Sequence, residues 1–251
     1  MRKIALVTGA SAGLGVEFAR QLSKRGHALV LAARRKERLD ELAGELGNAR
    51  AVVVDLSKAH AAEELMADVE AAGEQVDVLV NNAGFGLIGS FAELDAARER
   101  QMIDLNVGTL TELCRSVAPQ MIARKSGAIL NVASTAAFQP GPRMAVYFAT
   151  KAFVLSFTEA LHEELKPHGV RVSCLCPGPT RTEFGDVAGF RGNRLFEGVA
   201  MNSAEVVATG LKGLDRNRAV VVPGWMNKVT AASTRFAPRP IVRKIAGSIK
   251  Y

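Results

Sequence analysis

The amino-acid sequence predicts an α/β fold in which a doubly wound parallel sheet of about seven strands carries helices on both faces. Short apolar segments without polar alternation recur along the chain, as they do in strands that are buried on both faces. Segments with the apolar spacing of amphipathic helices separate them, which is typical of parallel connections. A glycine-rich stretch, residues 8–15, links the first strand to the first helix. No linker or repeat interrupts the pattern, so a single domain is predicted over residues 1–251.

The predicted elements follow one another in regular order. Strands are predicted at residues 4–8, 28–33, 51–54, 78–80, 128–132, 170–175 and 219–222. Helices are predicted at residues 14–25, 36–46, in a segment that ends near residue 72, at 104–123 and at 144–166. The helix at 144–166 is apolar on more than one face, which indicates burial against a partner subunit as well as against its own sheet.

Composition indicates a folded protein without a membrane span. Of the 251 residues 48% are apolar, and no apolar run reaches the roughly 20 residues that a transmembrane helix needs. A strand is predicted from residue 3 onward, which leaves no room for a signal peptide, so a cytoplasmic location is expected.

Cys174 and Cys176 lie two apart on a predicted strand, with no Cys-x-x-Cys or nearby histidine. They are predicted to be buried thiols, and no metal site is expected.

The net charge of +7 is unevenly distributed. Residues 216–251 contain eight Lys or Arg and no acid, whereas the rest of the chain is close to neutral. A nucleic-acid-binding protein usually carries its basic residues on a recognisable module, and none is visible here. No nucleic-acid partner is therefore expected.

The glycine-rich stretch has the spacing of a dinucleotide-binding turn. Gly9, Gly13 and Gly15 lie between the first strand and the first helix, with Ser11 and Leu14 beside them. Glycine permits a tight turn and lets a pyrophosphate approach the backbone, and the helix N-terminus supplies free N–H groups. A phosphate-binding P-loop is disfavoured because no Gly-Lys-Ser/Thr follows.

Polar residues follow the next three strands. Ala33 stands where an acidic residue would favour NAD, and Arg34 and Arg35 follow it. Their two guanidinium groups suit the 2′-phosphate of NADP. The alternative is that both arginines are ordinary surface residues. Asp55 could accept a hydrogen bond from an adenine amino group or cap the next helix. The sequence from residue 81 to residue 84, Asn-Asn-Ala-Gly, would also be explained by turn chemistry.

Tyr147 and Lys151 share one face of a predicted helix because they are four residues apart. A nearby cation lowers the pKa of a phenol from its ordinary value of about 10, which would suit acid–base catalysis. Chance proximity on one helix is the alternative. Ser134 closes the fifth predicted strand, so it should lie at the same sheet edge as the other polar positions.

The ordered set of motifs resembles the short-chain dehydrogenase/reductase family in its ~250-residue form, up to about Val222. The motifs are Thr8-Gly-x-x-x-Gly-x-Gly, Asn81-Asn-Ala-Gly, Asn106, Ser134, Tyr147-x-x-x-Lys151 and Pro177-Gly178. The resemblance implies a Rossmann-like fold with Tyr147 as general acid or base. It implies that Lys151 lowers the pKa of Tyr147 and binds the nicotinamide ribose. Ser134 would hold the substrate oxygen, and Asn106 would help to keep a proton-delivering water in place.

The resemblance also implies a cofactor site. Its members are Gly9, Ser11, Gly13, Leu14, Gly15, Arg34, Arg35, Asp55, Leu56, Asn82, Ala83, Gly84, Tyr147, Lys151, Pro177, Gly178, Thr180 and Thr182. Family members that prefer NADP often carry a basic residue where this chain has Ala12. Arg34 is therefore expected to select NADP(H) over NAD(H), with the Ser11 hydroxyl as a further contact. The family also implies a homodimer or homotetramer, formed through the helices that contain Asn106 and Tyr147.

The predicted function is NADP(H)-dependent hydride transfer to or from a carbonyl or secondary alcohol of an apolar small molecule. A substrate loop is expected at residues 180–202. The expected pocket residues, about half of which could be core instead, are Phe85, Leu87, Ile88, Phe138, Met144, Phe184, Phe190 and Phe196. His162 and His168 are expected to face solvent. The alternative is a non-catalytic NADPH-binding regulator; a Ser–Lys hydrolase is disfavoured because Ala137 stands where that lysine would.

The C-terminal segment, residues 238–250, is predicted to be a basic amphipathic helix that starts at Pro240. Ile241, Ile245 and Ile249 recur every four residues, and most basic residues lie off that stripe. The stripe could pack on the protein or a partner subunit, or the helix could lie on an anionic membrane. We expect a docked helix with, at most, weak and salt-sensitive membrane contact.

Overall fold

A computed structural model describes residues 2–183 and 200–248. The strands are β1 (Ile4–Thr8), β2 (Ala28–Ala33), β3 (Ala49–Val53), β4 (Val76–Asn81), β5 (Gly127–Val132), β6 (Val170–Leu175) and β7 (Val220–Val221). The described helices are α1 (Gly13–Lys24), α2 (Lys36–Leu46), α3 (Ala61–Ala71), α4 (Ala96–Ile103), α5 (Leu110–Arg124), α6 (Ala145–Leu165), α7 (Ser203–Asp215), α8 (Trp225–Phe236) and α9 (Arg239–Ser248).

The seven strands form one parallel sheet in the order β3-β2-β1-β4-β5-β6-β7. One face packs against α3, α5 and α6, represented by Leu65, Leu113 and Val154. The other packs against α1, α2 and α7, and this side includes Phe18 and Leu39. Burial on both faces explains why the strands read as continuous apolar runs. The predicted Rossmann-like, doubly wound fold is confirmed.

The strand order reverses between β1 and β4, which creates a crevice at the carboxyl ends of the strands. Thr8, Ala33, Asn81, Val132 and Leu175 end strands β1, β2, β4, β5 and β6 at this edge. The loops that follow them therefore converge on the crevice and bring together polar residues far apart in sequence.

The helix predicted at residues 104–123 is interrupted. Helix α4 comes first, a π-helical turn spans Asp104–Thr109, and α5 follows. A π-helical turn widens the backbone and is frequent at functional sites. Here it contains Asn106, which is buried, so the irregularity places a polar side chain against the crevice.

His162 is buried on α6, which corrects the prediction that it faces solvent. Its Nδ1 lies 2.7 Å from the carbonyl oxygen of Val172 on β6. The ring therefore joins the helix to the sheet and has a structural explanation. His168 is exposed, as expected.

The C-terminal helix forms near its predicted position, but Ile241 and Ile245 do not pack on the protein body; Ile249 lies outside the described residues. Ile241 and Ile245 are exposed, whereas Ala246 is buried and Val242 is half-buried. The small Ala246 side chain lets this neighbouring face lie close to the protein body, so the expected packing of the isoleucine stripe on the protein's own body is wrong for Ile241 and Ile245; packing on a partner subunit stays a prediction. Within residues 2–183 and 200–248, each helix is too short or too polar to cross a bilayer.

Candidate active site

The turn between β1 and α1 is shaped to hold a phosphate. Gly9 and Gly13 have φ angles of +66° and +54°, a region in which side chains with a Cβ are strained. Ala12 precedes α1 and offers no side-chain cap to its first N–H groups. The uncapped helix N-terminus, with its positive dipole end, therefore remains suited to an anion.

Thr8 and Asn82 fix this turn against β4. The Thr8 hydroxyl accepts hydrogen bonds from the backbone N–H groups of Asn82 and Ala83, both at 3.0 Å. The Asn82 amide donates to the Thr8 carbonyl oxygen at 2.9 Å. Asn82 thus positions the backbone of the turn, and Thr8 is a positioning residue that was not among the predicted site residues.

Gly15 lies where α1 passes the turn. A Cβ at Gly15 would come within 2.1 Å of the Gly9 carbonyl oxygen and 2.8 Å of the Asn82 amide nitrogen. Gly15→Ala should therefore lower the free energy of unfolding by about 1–3 kcal/mol and weaken binding of NADPH. Gly44→Ala is the matched control, because that helical glycine has no neighbour within 4 Å of the new Cβ. The control should raise stability by about 0.5–1 kcal/mol.

Chemical unfolding and NADPH titration of both variants check this expectation. Equal stability changes in the two variants would contradict the packing role assigned to Gly15.

Arg35, rather than Arg34, contacts Ser11. Its guanidinium donates to the Ser11 hydroxyl and carbonyl oxygens, both at 3.1 Å, and to Glu183 at 2.9 Å. Arg38 also pairs with Glu183. Arg34 is exposed beside the same crevice and makes no ion pair within residues 2–183 and 200–248. The turn after β6 is therefore tied to the end of β2 through Glu183, and Arg34 remains available to an anion.

Asp55 makes a local turn with Ser57. Its Oδ1 accepts from the Ser57 hydroxyl at 2.7 Å and from the Ser57 N–H at 3.1 Å. Burial acts to raise the pKa of Asp55, but these hydrogen bonds and the nearby Arg34 hold it below its ordinary value. A carboxylate with a second oxygen beside the crevice remains a suitable acceptor for an amino group.

Ser134, Tyr147 and Lys151 meet at the other end of the crevice. Ser134 follows β5 and hydrogen-bonds the Tyr147 phenol. Tyr147 and Lys151 lie one turn apart on α6, and Lys151 Nζ is 5.8 Å from the centre of the tyrosine ring. The ammonium donates to the carbonyl oxygen of Val132 at 2.9 Å, which fixes the lysine at the end of β5.

Burial dominates the titration of this group. It raises the pKa of Tyr147 to about 12, while the hydrogen bond with Ser134 acts in the opposite direction. It lowers the pKa of Lys151 to about 8. The raised pKa of Tyr147 is opposite to the prediction that Lys151 lowers it. Both side chains are removed from water, and burial disfavours their charged forms. The phenol is thus a proton donor near neutral pH.

Asn106 positions a neighbouring loop. Its side chain donates to the Phe85 carbonyl oxygen at 3.0 Å and accepts from the Phe85 N–H at 3.2 Å. It also donates to the Thr150 hydroxyl at 3.1 Å, which in turn donates to the Tyr147 carbonyl oxygen. Asn106 therefore links the Phe85 loop to the helix of Tyr147 through side-chain contacts. The water that it was expected to hold stays a prediction.

The crevice is a cavity of about 940 Å³. Of the predicted site residues, all line it except Gly15 and Asn106, which support its wall. Further lining residues that were not predicted include Arg98, Gln101, Gln139, Phe148, Glu183 and Ser248. Asn227 was also missed: its side chain lies about 2.5 Å from where a Gly178 Cβ would stand. Helix α8, which supplies Asn227, had no sequence prediction.

The expected apolar pocket is divided between lining and core. Phe85 and Met144 line the cavity. Leu87 and Ile88 pack behind them against the cluster that contains Tyr147, and Phe138 packs on the main core. Phe184, Phe190 and Phe196, with most of the expected substrate loop, lie outside the described residues.

These residues fit a dinucleotide. An uncapped helix N-terminus, a glycine cradle and two arginines line one part of the cavity. A buried proton donor, a hydroxyl and an ammonium line another. Such an arrangement can polarise a carbonyl oxygen and supply its proton.

Comparison with known proteins identifies the family. The family model described as short chain dehydrogenase matches residues 3–188. An NADP-dependent 3-hydroxy acid dehydrogenase from Shigella flexneri is 40% identical over 193 residues, which cover 76% of this chain and 77% of that protein. An uncharacterized oxidoreductase from Myxococcus xanthus is 34% identical over 243 residues, covering 95% and 94% of the two chains.

A solved structure is similar over almost the whole chain. It is a short-chain dehydrogenase from Sphingobium yanoikuyae in complex with NADPH, with 33% sequence identity and a TM-score of 0.84. The match covers 99% of this chain and 96% of that one.

Proposed function

The chain belongs to the short-chain dehydrogenase/reductase family and is an oxidoreductase of alcohol and carbonyl groups; from this premise we propose that it uses NADP(H) and acts on an apolar small molecule. The observation that carries the proposal is one cavity that joins the two arginines at its cofactor end to Ser134, Tyr147 and Lys151. Apolar side chains such as Phe85, Met144 and Phe148 also line the cavity, together with the polar Arg98, Gln101 and Gln139. The apolar side chains favour a substrate with an apolar body.

The protein's own residues supply the proton and stabilise charge. When bound, the nicotinamide supplies the hydride. Ser134 and Tyr147 donate hydrogen bonds to the substrate oxygen, where negative charge develops, and Tyr147 releases its proton to that oxygen. The Lys151 ammonium favours the phenolate that remains. Turn residues Pro177 and Gly178 would hold the nicotinamide beside them.

The proposed direction is carbonyl reduction. With a pKa of about 12, Tyr147 keeps its proton across the physiological range. The site therefore holds in place the proton that carbonyl reduction consumes.

A screen of ketones, aldehydes and secondary alcohols, followed by NADPH absorbance, tests the proposal. Turnover of a carbonyl compound with an apolar body supports it. A non-catalytic NADPH-binding regulator is the second candidate, and it would bind NADPH without turnover of any compound in the screen. The hydrogen-bonded Ser134–Tyr147 pair favours the enzyme, because a regulator has no need of an acid.

NADPH should bind about ten- to a hundredfold more tightly than NADH, because a charge-assisted hydrogen bond contributes about 1.5–3 kcal/mol. Arg34 and Arg35 line the cavity at the end of β2, and Ala33 provides no carboxylate for the ribose of NAD. Arg34→Ala and Arg35→Ala should each reduce the preference. Fluorescence titration of both cofactors measures it.

Arg38→Ala is the matched control. Arg38 pairs with Glu183, as Arg35 does, but does not line the cavity, so its removal should leave the preference unchanged. Dissociation constants for NADPH and NADH within a factor of two, or an unchanged preference in both test variants, would contradict the assignment.

We also propose a homo-oligomer that forms through α5 and α6. Phe153 and Phe157 stack on α6 with ring centroids 5.7 Å apart, and Phe153 is exposed. Phe157 is half-buried, and an exposed aromatic ring stacked on it, on a helix that is already buried on its other side, is expected at a subunit contact. The three free, buried cysteines support a reducing compartment, which is consistent with the cytoplasm.

A further inference from the structure

Helices α8 and α9 carry most of the exposed large apolar side chains of the described chain. Six such residues lie on them, with exposed fractions between 51% and 87%. They are Trp225, Met226, Val229, Phe236, Ile241 and Ile245. The other four, Val53, Phe91, Ile103 and Phe153, lie on separate elements; Phe153 belongs to the contact proposed on α6, and single exposed apolar side chains are normal. A concentrated apolar surface on two adjacent helices indicates a binding site.

On each helix all but one of these side chains, Met226, share a face. Trp225, Val229 and Phe236 are spaced by four and seven residues, so they lie on one side of α8, while Ala231 is buried on another side. On α9, Ile241, Ile245 and Ser248 fall on one side for the same reason. Ser248 also lines the active-site cavity. The exposed stripe of α9 therefore ends at a residue that lines the cavity.

The same two helices are strongly basic. Their cations, all exposed, are Lys228, Arg235, Arg239, Arg243 and Lys244. No acid occurs in residues 216–251, and none of the five makes an ion pair within the described ranges. We name the six apolar and five basic residues together the C-terminal surface.

We propose that the C-terminal surface binds an anionic lipid bilayer, and that the cavity receives its apolar substrate from that bilayer past Ser248. Tryptophan and phenylalanine enter the headgroup region of a membrane, and surface cations are attracted by anionic lipids. The second half of the proposal rests on the proposed function.

A second copy of the chain is a poorer occupant. A twofold contact places the same patch of each subunit against the other. If the C-terminal surface packed on its own counterpart across the twofold axis, its five cations would face like charges, with no acid of the same surface to offset them. An anionic bilayer complements both the apolar and the basic side chains.

Sedimentation of the full-length protein with lipid vesicles tests the first half. We expect binding to vesicles of equal parts phosphatidylcholine and phosphatidylglycerol, little binding to phosphatidylcholine alone, and weakening by salt. The double variant Trp225→Ser/Phe236→Ser should lower the partition coefficient at least tenfold. Arg235→Gln and Arg239→Gln should lower it about fivefold each.

Phe91→Ser and Lys24→Gln are the matched controls, since they remove an exposed aromatic and an exposed cation elsewhere. Both should bind vesicles as the wild type does. Thermal unfolding and turnover of a water-soluble ketone by the Trp225→Ser/Phe236→Ser variant should match the wild type, which shows that the variant is folded. The proposal is overturned if the wild-type protein does not bind anionic vesicles or if the double variant binds them as well as the wild type does. It is also overturned if that variant dissociates an oligomer in size-exclusion chromatography with light scattering, because the surface would then bind a second copy.

A long-chain ketone dissolved in the mixed vesicles tests the second half. The double variant should lose at least tenfold in kcat/KM for this ketone and nothing for the water-soluble one. Equal activity of variant and wild type on the vesicle-borne ketone would overturn delivery from the bilayer. If the wild type reduces no carbonyl compound, the proposed function fails, whereas the vesicle-binding result remains valid.

Discussion

Tyr147→Phe should lower kcat for carbonyl reduction by about 10²- to 10⁴-fold, the usual contribution of a positioned general acid. The substitution removes the phenolic proton and the hydrogen bond with Ser134 but keeps the ring that packs against Phe148. The fold and the cofactor end of the cavity should therefore be unchanged. Single-turnover rates give the loss, and titration with NADPH should give a dissociation constant within about threefold of wild type.

Tyr251→Phe is the matched control, because the chain contains only two tyrosines and the chemical change is the same. It should retain full activity. A Tyr147→Phe variant with more than a tenth of the wild-type kcat would remove Tyr147 from the acid role, and the hydroxyl of Ser134 would become the next candidate.

The fold could be predicted from local sequence because its signals are local. Apolar runs such as Ile4–Thr8 and Val170–Leu175 are continuous where strands are covered on both faces, and both strands form as predicted. The i, i+4 spacing of Tyr147 and Lys151 likewise specifies one helix face. The ordered motifs then place these side chains at one sheet edge, where the structure has them.

Other features depend on contacts between distant segments. The π-helical turn is associated with the bonds of Asn106 to Phe85 and Thr150, which no pattern within residues 104–109 reveals. Arg35 and Glu183 are 148 positions apart, so their ion pair had no local signal. The direction of the Tyr147 pKa shift required knowledge of its burial, since the nearby cation alone predicts the opposite sign.

The face on which α9 docks shows the same limit. Its isoleucines have the stronger periodic pattern, yet the structure buries Ala246, where close approach matters more than apolar area. A hydrophobic pattern identifies an apolar stripe on a helix, but what covers that stripe depends on shape and charge elsewhere.

Lys151→Met should lower kcat/KM for NADPH by about a hundredfold at pH 7, which is comparable to the loss of one preorganised charge-stabilising group. The substitution should also remove an inflection near pH 8 from the pH profile of kcat/KM. Lys151 has a pKa of about 8 because it is buried. Below pH 8 Lys151 is cationic and stabilises the phenolate that remains when Tyr147 gives up its proton. Above pH 8 Lys151 becomes neutral, and this stabilisation is lost. Tyr147, with a pKa of about 12, cannot cause the inflection. With NADPH as the varied substrate, kcat/KM reports groups that titrate in the free enzyme.

Stability provides the control, because the buried charge opposes folding. Its folded-state pKa of about 8 lies below the ordinary 10.5, so the penalty is complete below pH 8 and vanishes as the pH rises towards 10.5. The shift corresponds to about 3 kcal/mol, offset in part by the hydrogen bond to Val132. Lys151→Met should therefore raise the free energy of unfolding by about 1–2 kcal/mol at pH 7 and by less at pH 10. A variant that is inactive and also less stable would indicate that Lys151 mainly supports the fold. A variant that keeps the pH 8 inflection would assign that titration to another group.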